Sequence, residues 1–254
     1  MPDLRGKVTI ITGASSGIGR GTAVEFAQLG AHLALTGRNQ ENLQATAKAC
    51  VEAGAPQDKI LLVTGDICDE QVQKNLVEQT VQKFGRIDVL VNNAGIGGPV
   101  TIETIDMATY DRIMNVNVRS VVTLTQLCIP HLAKTQVRSA LAFDIRFYVK
   151  NIERFYHILS LKTISNLSEL ASKQIRVNSV NPGIIPTEIF KRAGRTEEEC
   201  AKLLEHSKSA HALGRNGEVS EVAKTIAFLA SSDASFITGA QVPVDGGRHA
   251  MCPR

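Results

Sequence analysis

Thr12-Gly13-Ala14-Ser15-Ser16-Gly17-Ile18-Gly19 joins the apolar run Val8–Ile11 to an amphipathic stretch, Gly19–Leu29. Glycine at 13, 17 and 19 permits a tight turn and lets backbone come close to a pyrophosphate. A helix starting there turns its free N–H groups and the positive end of its dipole toward an anion. A plain strand-to-helix turn is the alternative. The strand, the helix and the N-terminal position together favour a phosphate-binding turn.

Short apolar runs and amphipathic stretches alternate onward from this turn, as repeated strand–helix units around a parallel sheet require. Strands are expected at Lys7–Thr12, His32–Thr36, Ile60–Thr64, Val89–Asn92, Ile175–Val180 and Ala240–Val244. Ser139–Ile145 is the least defined seventh. Helices are expected at Gly19–Leu29, Asn42–Glu52, Glu70–Phe84, Asn117–Ala133 and Val219–Ala230. Glycine closes three of them, where a left-handed residue ends a helix. The expected fold class is α/β: a Rossmann-type, doubly wound parallel sheet of about seven strands with helices on both faces. No repeat or linker interrupts the chain, so residues 1–254 read as one dinucleotide-binding domain.

Composition narrows the function classes. The chain has 254 residues, 43% of them apolar and 21% charged, with a net charge of +3 spread along its length. That balance argues against nucleic acid as a partner. Glu197-Glu198-Glu199 reads as a solvated helix N-terminus. Five scattered cysteines (50, 68, 128, 200 and 252) without a CxxC pair argue against a disulfide framework or a zinc site, and for free thiols. The strand begins almost at once and no apolar run approaches about 18 residues, which points to a cytoplasmic protein with neither signal peptide nor membrane span.

Further motifs follow the glycine turn in order. Asn92-Asn93-Ala94-Gly95 ends the fourth strand. Asn117 stands in Met114-Asn115-Val116-Asn117-Val118. Pro182-Gly183 precedes Thr187, and QVPVDGG spans Gln241 to Gly247. With the T-G-x-x-x-G-x-G spacing, this series resembles the short-chain dehydrogenase/reductase family, in a 3-oxoacyl-acyl-carrier-protein-reductase-like pattern. The resemblance covers Leu4 to Gln136 and Leu167 to Gly247. It implies an NAD(P)-dependent oxidoreductase that moves a hydride between a dinucleotide and a carbonyl or secondary alcohol.

The cofactor residues expected on this basis are Gly13, Ser15, Ser16, Gly17, Ile18, Gly19, Arg38, Asp66, Ile67, Asn93, Ala94, Gly95, Pro182, Gly183 and Thr187. Asp66 can accept a bond from the adenine amino group, or cap the next helix. Family analogy sets Asn93, Ala94 and Gly95 against the adenosine ribose and the sheet. Thr187 can bond the nicotinamide carboxamide or the pyrophosphate, or cap a helix. NAD-preferring enzymes place an acid after the second strand. Here Thr36-Gly37-Arg38-Asn39 offers a guanidinium fork that suits a 2′-phosphate, so NADP(H) is favoured over NAD(H).

The catalytic half departs from the family pattern. The resemblance implies a Tyr, a Lys four residues on along one helix face, a Ser, and an Asn that holds a water. Asn117 matches the Asn. The three tyrosines are Tyr110, Tyr148 and Tyr156, and four positions on stand Met114, Ile152 and Ser160. No Y-x-x-x-K exists in the chain. Tyr156 and Lys162 are six apart, about 240° net around a helix. His157 is a substitute proton donor on one count along the chain and is displaced on another. The family position of the Ser falls near Asp144.

Residues 137–166 carry no family likeness, while both flanks do. Gln136-Val137-Arg138 is what CAG-GTA-AGA encodes, the form of a splice donor read through in frame. The segment therefore reads as translated intron or a wrong exon, with a genuinely divergent isoform as the rival. Three functions compete: an NADP(H)-dependent oxidoreductase, a catalytically impaired dinucleotide-binding protein, and a chain that does not fold well. A homo-oligomer is expected, weakened because its second pairing helix, roughly Ile152–Ser172, is rewritten. Steroid, sugar, acyl and quinone substrates all remain open. On the read-through account, cDNA from the gene should lack residues 137–166 as written; cDNA encoding Val137–Asn166 unchanged would refute it.

Overall fold

The computed structural model describes residues 2–97, 103–135, 139–143 and 167–251, with backbone alone at 139–143 and 167–169. The strands are β1 (Val8–Thr12), β2 (His32–Gly37), β3 (Ile60–Thr64), β4 (Val89–Asn92), β5 (Ser139–Phe143), β6 (Arg176–Pro182) and β7 (Gln241–Val244). They form one parallel sheet in the order β3-β2-β1-β4-β5-β6-β7. The order reverses between β1 and β4, and the crevice at the carboxyl ends of these strands is where such sheets bind ligands.

The helices are α1 (Gly17–Gln28), α2 (Gln40–Glu52), α3 (Glu70–Phe84), α4 (Met107–Met114), α5 (Ser120–Leu132), α6 (Leu167–Ser172), α7 (Ile189–Arg192), α8 (Glu197–Ser209) and α9 (Val219–Ala230). Neighbouring strand residues face opposite ways, so the sheet carries two cores. Ile11, Leu35 and Val91 pack with Phe26, Val222 and Ile226 of α1 and α9. Ile10, Ala34 and Leu90 pack with Leu76, Leu124 and Cys128 of α3 and α5. Every residue of β1 and of β4 is buried, as strands covered on both faces must be.

Local signals set the helix ends. Asp69 caps α3 by accepting from Gln71 N at 2.8 Å. Gly85 closes it in the left-handed region at φ 76°. The acidic triplet is the first turn of α8, and Thr196 and Glu199 form a reciprocal capping box there. The expected helix Asn117–Ala133 is corrected. Asp106 caps α4, a π turn spans Asn115–Arg119, and α5 runs only from Ser120 to Leu132. Asn117 therefore sits inside the π turn and does not open the helix. The mixed composition of Met107–Met114 conceals α4 from an apolar-period reading. Tyr148, Tyr156, His157, Lys162 and most of 137–166 lie outside the described residues.

Cys50, Cys68, Cys128 and Cys200 are free. Among the described residues, no helix is long and apolar enough to cross a membrane.

One buried carboxylate locks β1 to the start of β4. Asp88 is fully buried, and its Oδ2 accepts from Val8 N at 3.0 Å and from Arg86 Nε at 2.9 Å. Its Oδ1 accepts from Arg86 Nη2 at 2.6 Å. Asp88→Ala strands the buried Val8 N–H and releases the half-exposed Arg86 guanidinium to water. It should cost about 1–3 kcal/mol of stability, read as an earlier urea midpoint at unchanged slope. An unaltered midpoint would show that the lock does not hold the sheet.

Candidate dinucleotide site

A cavity of about 620 Å³ opens at the carboxyl ends of the strands. Gly13 after β1, Gly37 in β2, Gly65 after β3, Asn93 after β4 and Pro182 in β6 all line it. The cavity therefore straddles the reversal of strand order. Of the expected cofactor residues, Gly13, Ser15, Ser16, Gly17, Ile18, Arg38, Asp66, Ile67, Asn93, Ala94, Gly95, Pro182, Gly183 and Thr187 lie along its wall.

Gly19 does not line the wall; it lies beneath it. A Cβ on Gly19 would stand 2.3 Å from both Asn93 Nδ2 and Gly13 O. Gly13 and Gly17 adopt φ of 64° and 54°, a region that side chains disfavour. The turn's shape comes from β1 and β4 together. Thr12 Oγ1 accepts from Asn93 N and Ala94 N, both at 2.9 Å. Asn93 Nδ2 donates to Thr12 O at 2.8 Å and to Gly13 O at 3.3 Å. The amide NH₂ of Asn93 thus builds the turn and is not offered to a ribose. No side chain caps the first turn of α1, so its N–H end faces the cavity with its positive dipole uncompensated.

Position decides the capping option for Asp66 and for Thr187, and it places Asn117. Asp69 caps α3, while Asp66 Oδ1 accepts from Cys68 N at 2.9 Å. Thr187 caps nothing: α7 starts at Ile189 with Glu188 before it. The Thr187 side chain packs over Gly17, where an added Cβ would meet its Cγ2 at 3.3 Å. Asn117 does not line the cavity. Its Nδ2 donates to Ile96 O at 2.9 Å and its Oδ1 accepts from Ile96 N at 3.0 Å. Through these two bonds the Asn117 side chain clamps the loop after β4. The π turn that presents it is a helix irregularity common at functional sites.

Sequence reasoning missed several wall residues. Arg112, Arg192 and Arg195 join Arg38 around the cavity, where Asp66 is the only lining carboxylate among the described residues. Isolated arginines in α4 and the α7 region carry no local signal; only folding gathers them. Among the described residues none of the four has an ion-pair partner. Burial first, then Asp66, pushes the Cys68 thiol up to about 11, while Arg38 and Arg112 oppose that rise. Both guanidinium groups therefore act on one pole, beside Asp66. Arg192 marks the other pole, donating from Nη1 to Ser16 Oγ at 3.0 Å.

His211 was missed as well. It is 3% exposed, and its Nε2 lies 3.1 Å from Ile184 N while its Nδ1 lies 2.6 Å from Ser207 O. A backbone N–H can only donate, so Nε2 accepts and Nδ1 carries the proton. The neutral ring ties α8 to the wall segment Pro182–Ile185. Gly183 makes room for it: a Cβ there would stand 2.6 Å from Nε2.

Residues 13–249 match the family model described as Enoyl-(Acyl carrier protein) reductase. The chain is 36% identical over 250 residues to 3-oxoacyl-[acyl-carrier-protein] reductase of Thermotoga maritima, covering 96% of this chain and 98% of that one. It belongs to the short-chain dehydrogenase/reductase family. By family it is an NAD(P)-dependent oxidoreductase. Meso-2,3-butanediol dehydrogenase of Serratia marcescens is 34% identical over 248 residues, or 95% of this chain and 94% of that one. The crystal structure of a short-chain dehydrogenase/reductase of unknown function from Caenorhabditis elegans, solved with cofactor, superposes with a TM-score of 0.90. It is 30% identical, and the match covers 99% of this chain and 98% of that one.

The cavity meets the demands of a dinucleotide on its own terms. Its floor is a glycine cradle that a Cβ would fill, its helix end is positive, and its four guanidinium groups form no ion pair among the described residues. Gly19→Ala should push Asn93 and Gly13 apart and lower NADPH affinity at least about tenfold, since displacing a held phosphate by an ångström forfeits a charge-assisted bond. Intrinsic NADPH fluorescence on titration measures it; a dissociation constant within twofold of the parent chain would show that the cradle tolerates the shift.

Proposed function

We propose that this chain takes NADP(H) and carries the framework for hydride transfer between it and a carbonyl or secondary alcohol. The observation that supports this best is the grouping of unpaired arginines around the glycine cradle, with Arg38 directly after β2. Gly17 and Ile18 at the start of α1 would hold the diphosphate. Arg38, with Arg112 on the same pole, would hold the 2′-phosphate in a guanidinium fork. The Asp66 carboxylate would accept from the adenine amino group. Thr187, packed over Gly17, would bond the carboxamide or diphosphate. When bound, the nicotinamide gives or takes the hydride. Asn117 contributes by holding the Ile96 backbone, and His211 by holding Pro182–Ile185. The same reading makes the protein cytoplasmic and homo-oligomeric, with a small-molecule substrate.

A second reading rests on one sequence fact. The chain contains no Tyr followed four residues later by Lys, so the proton relay of the family has no recognisable counterpart. Such general acid–base assistance typically contributes about 10²- to 10⁴-fold. On this reading the chain binds NADP(H) and reduces carbonyls at least about a hundredfold more slowly than an intact relative.

One set of measurements separates the two. Arg38→Asp removes the fork and adds a like charge, and should move the NADPH/NADH affinity ratio toward NADH by about 10- to 100-fold. Equal affinity for both cofactors in the parent chain would refute the role of Arg38. NADPH oxidation with reactive diketones and quinones, repeated with His157→Ala and Tyr156→Phe, tests the chemistry. Robust turnover abolished by either change would show a displaced catalytic group and overturn the impaired reading.

A further inference from the structure

We propose that Arg192 is a ligand of the dinucleotide diphosphate, and that bound dinucleotide pins the strap Ile189–Arg195 over the site. The inference rests on the NADP(H) reading above. Arg192 reaches from α7 across the cavity to the phosphate turn, where Nη1 donates to Ser16 Oγ at 3.0 Å. Ser16 is the residue just before α1, so the guanidinium stands beside the uncapped, positive end of that helix. Two positive groups meeting at one point repel unless an anion lies between them. A neutral hydroxyl satisfies one of five guanidinium donors and cancels no charge.

Among the described residues no ion pair joins Arg192 to the carboxylates flanking the strap, Glu188, Glu197 and Glu199. Glu197 is held by Lys191 at 2.9 Å. Glu199 is held by the Thr196 backbone N–H at 2.8 Å as part of the α8 capping box. Arg195 lines the same wall, and among the described residues neither it nor Arg192 has an ion pair. A diphosphate seated on the first turn of α1 comes within reach of this fork, whose planar donors match phosphate oxygens. Arg192 would then exchange the Ser16 hydroxyl for phosphate oxygen.

The consequence lies with its neighbours. Ile189 and Phe190 line the cavity from the same strap. Arg192 N donates to Glu188 O at 3.0 Å and Arg195 N to Phe190 O at 3.3 Å, so the segment holds together as a unit. Fixing Arg192 on phosphate fixes this apolar wall, so dinucleotide binding would shape the substrate pocket.

The test compares Arg192→Met, which keeps the aliphatic stem, and Arg192→Lys with the parent chain. Ligands are NADPH and adenosine 2′-monophosphate, which carries the 2′-phosphate and no diphosphate. Amide hydrogen exchange is followed at 188–195 with and without NADPH. Arg192→Met should weaken NADPH about 10- to 100-fold and leave adenosine 2′-monophosphate unchanged, while Arg192→Lys recovers part of the loss. NADPH should slow exchange at 188–195 in the parent chain and not in Arg192→Met. If the parent chain binds no NADPH, the cofactor reading fails and this inference with it. If the parent binds NADPH and Arg192→Met matches it within twofold, the inference alone fails. Equal weakening of both ligands would overturn the diphosphate assignment, and unchanged exchange at 188–195 would overturn the pinned strap.

Discussion

Thr12 Oγ1 accepts two backbone N–H groups, Asn93 N and Ala94 N, at the point where β1 and β4 part. Asn93 returns the contact through its amide, which donates to Thr12 O and Gly13 O. This knot at the reversal of strand order positions everything above it. It holds the loop after β4 against the glycine turn, and that contact leaves no space for a Cβ on Gly13 or Gly19. The glycines are thus required twice over, by left-handed backbone at 13 and by crowding at 19. Four donor–acceptor contacts in a buried setting depend on one hydroxyl and one amide. Loss of either group leaves partners without water or protein to bond, which costs more than the bond itself contributes.

The cavity above the knot is electrostatically incomplete. Among the described residues, four guanidinium groups and a helix N-terminus face one carboxylate. The chain as a whole is nearly balanced, with 28 basic and 25 acidic side chains, so the imbalance is local. Such a concentration of like charge works against the compact state and favours an anionic ligand. The walls that carry it are held by short-range devices. Asn117 clamps Ile96 from the π turn, and neutral His211 clamps Ile184 from the end of α8. Both spend side-chain hydrogen-bonding capacity on backbone, and each fixes a segment that has no regular structure of its own.

Binding and chemistry come apart in this chain. The glycine turn and the strand ends around it lie among the described residues, held by the Thr12–Asn93 contacts. The proton relay belongs to a stretch whose sequence lacks the family's Tyr-to-Lys spacing. Membership of the short-chain dehydrogenase/reductase family therefore assigns the framework, while the reacting groups have to be established for this chain itself.

The sequence by itself determined the sheet, the glycine turn and nearly all of the cavity's strand-end lining. These features are local: apolar runs of strand length, glycines at fixed offsets, and caps such as Asp69 and Gly85 that act within a few residues. Ile60–Thr64, Val89–Asn92, Glu70–Phe84 and Val219–Ala230 could be bounded to the residue for that reason. Tertiary structure decided the rest. It set a π turn around Asn117 between α4 and α5, where the Asn117 amide bonds Ile96, 21 residues away. It set Arg192 on Ser16 across 176 residues and His211 on Ile184 across 27. It joined the Asn93 amide to Thr12 O, 81 residues away. A long-range hydrogen bond leaves no periodic trace in the chain, since its partners meet only after the sheet has brought their loops to one edge.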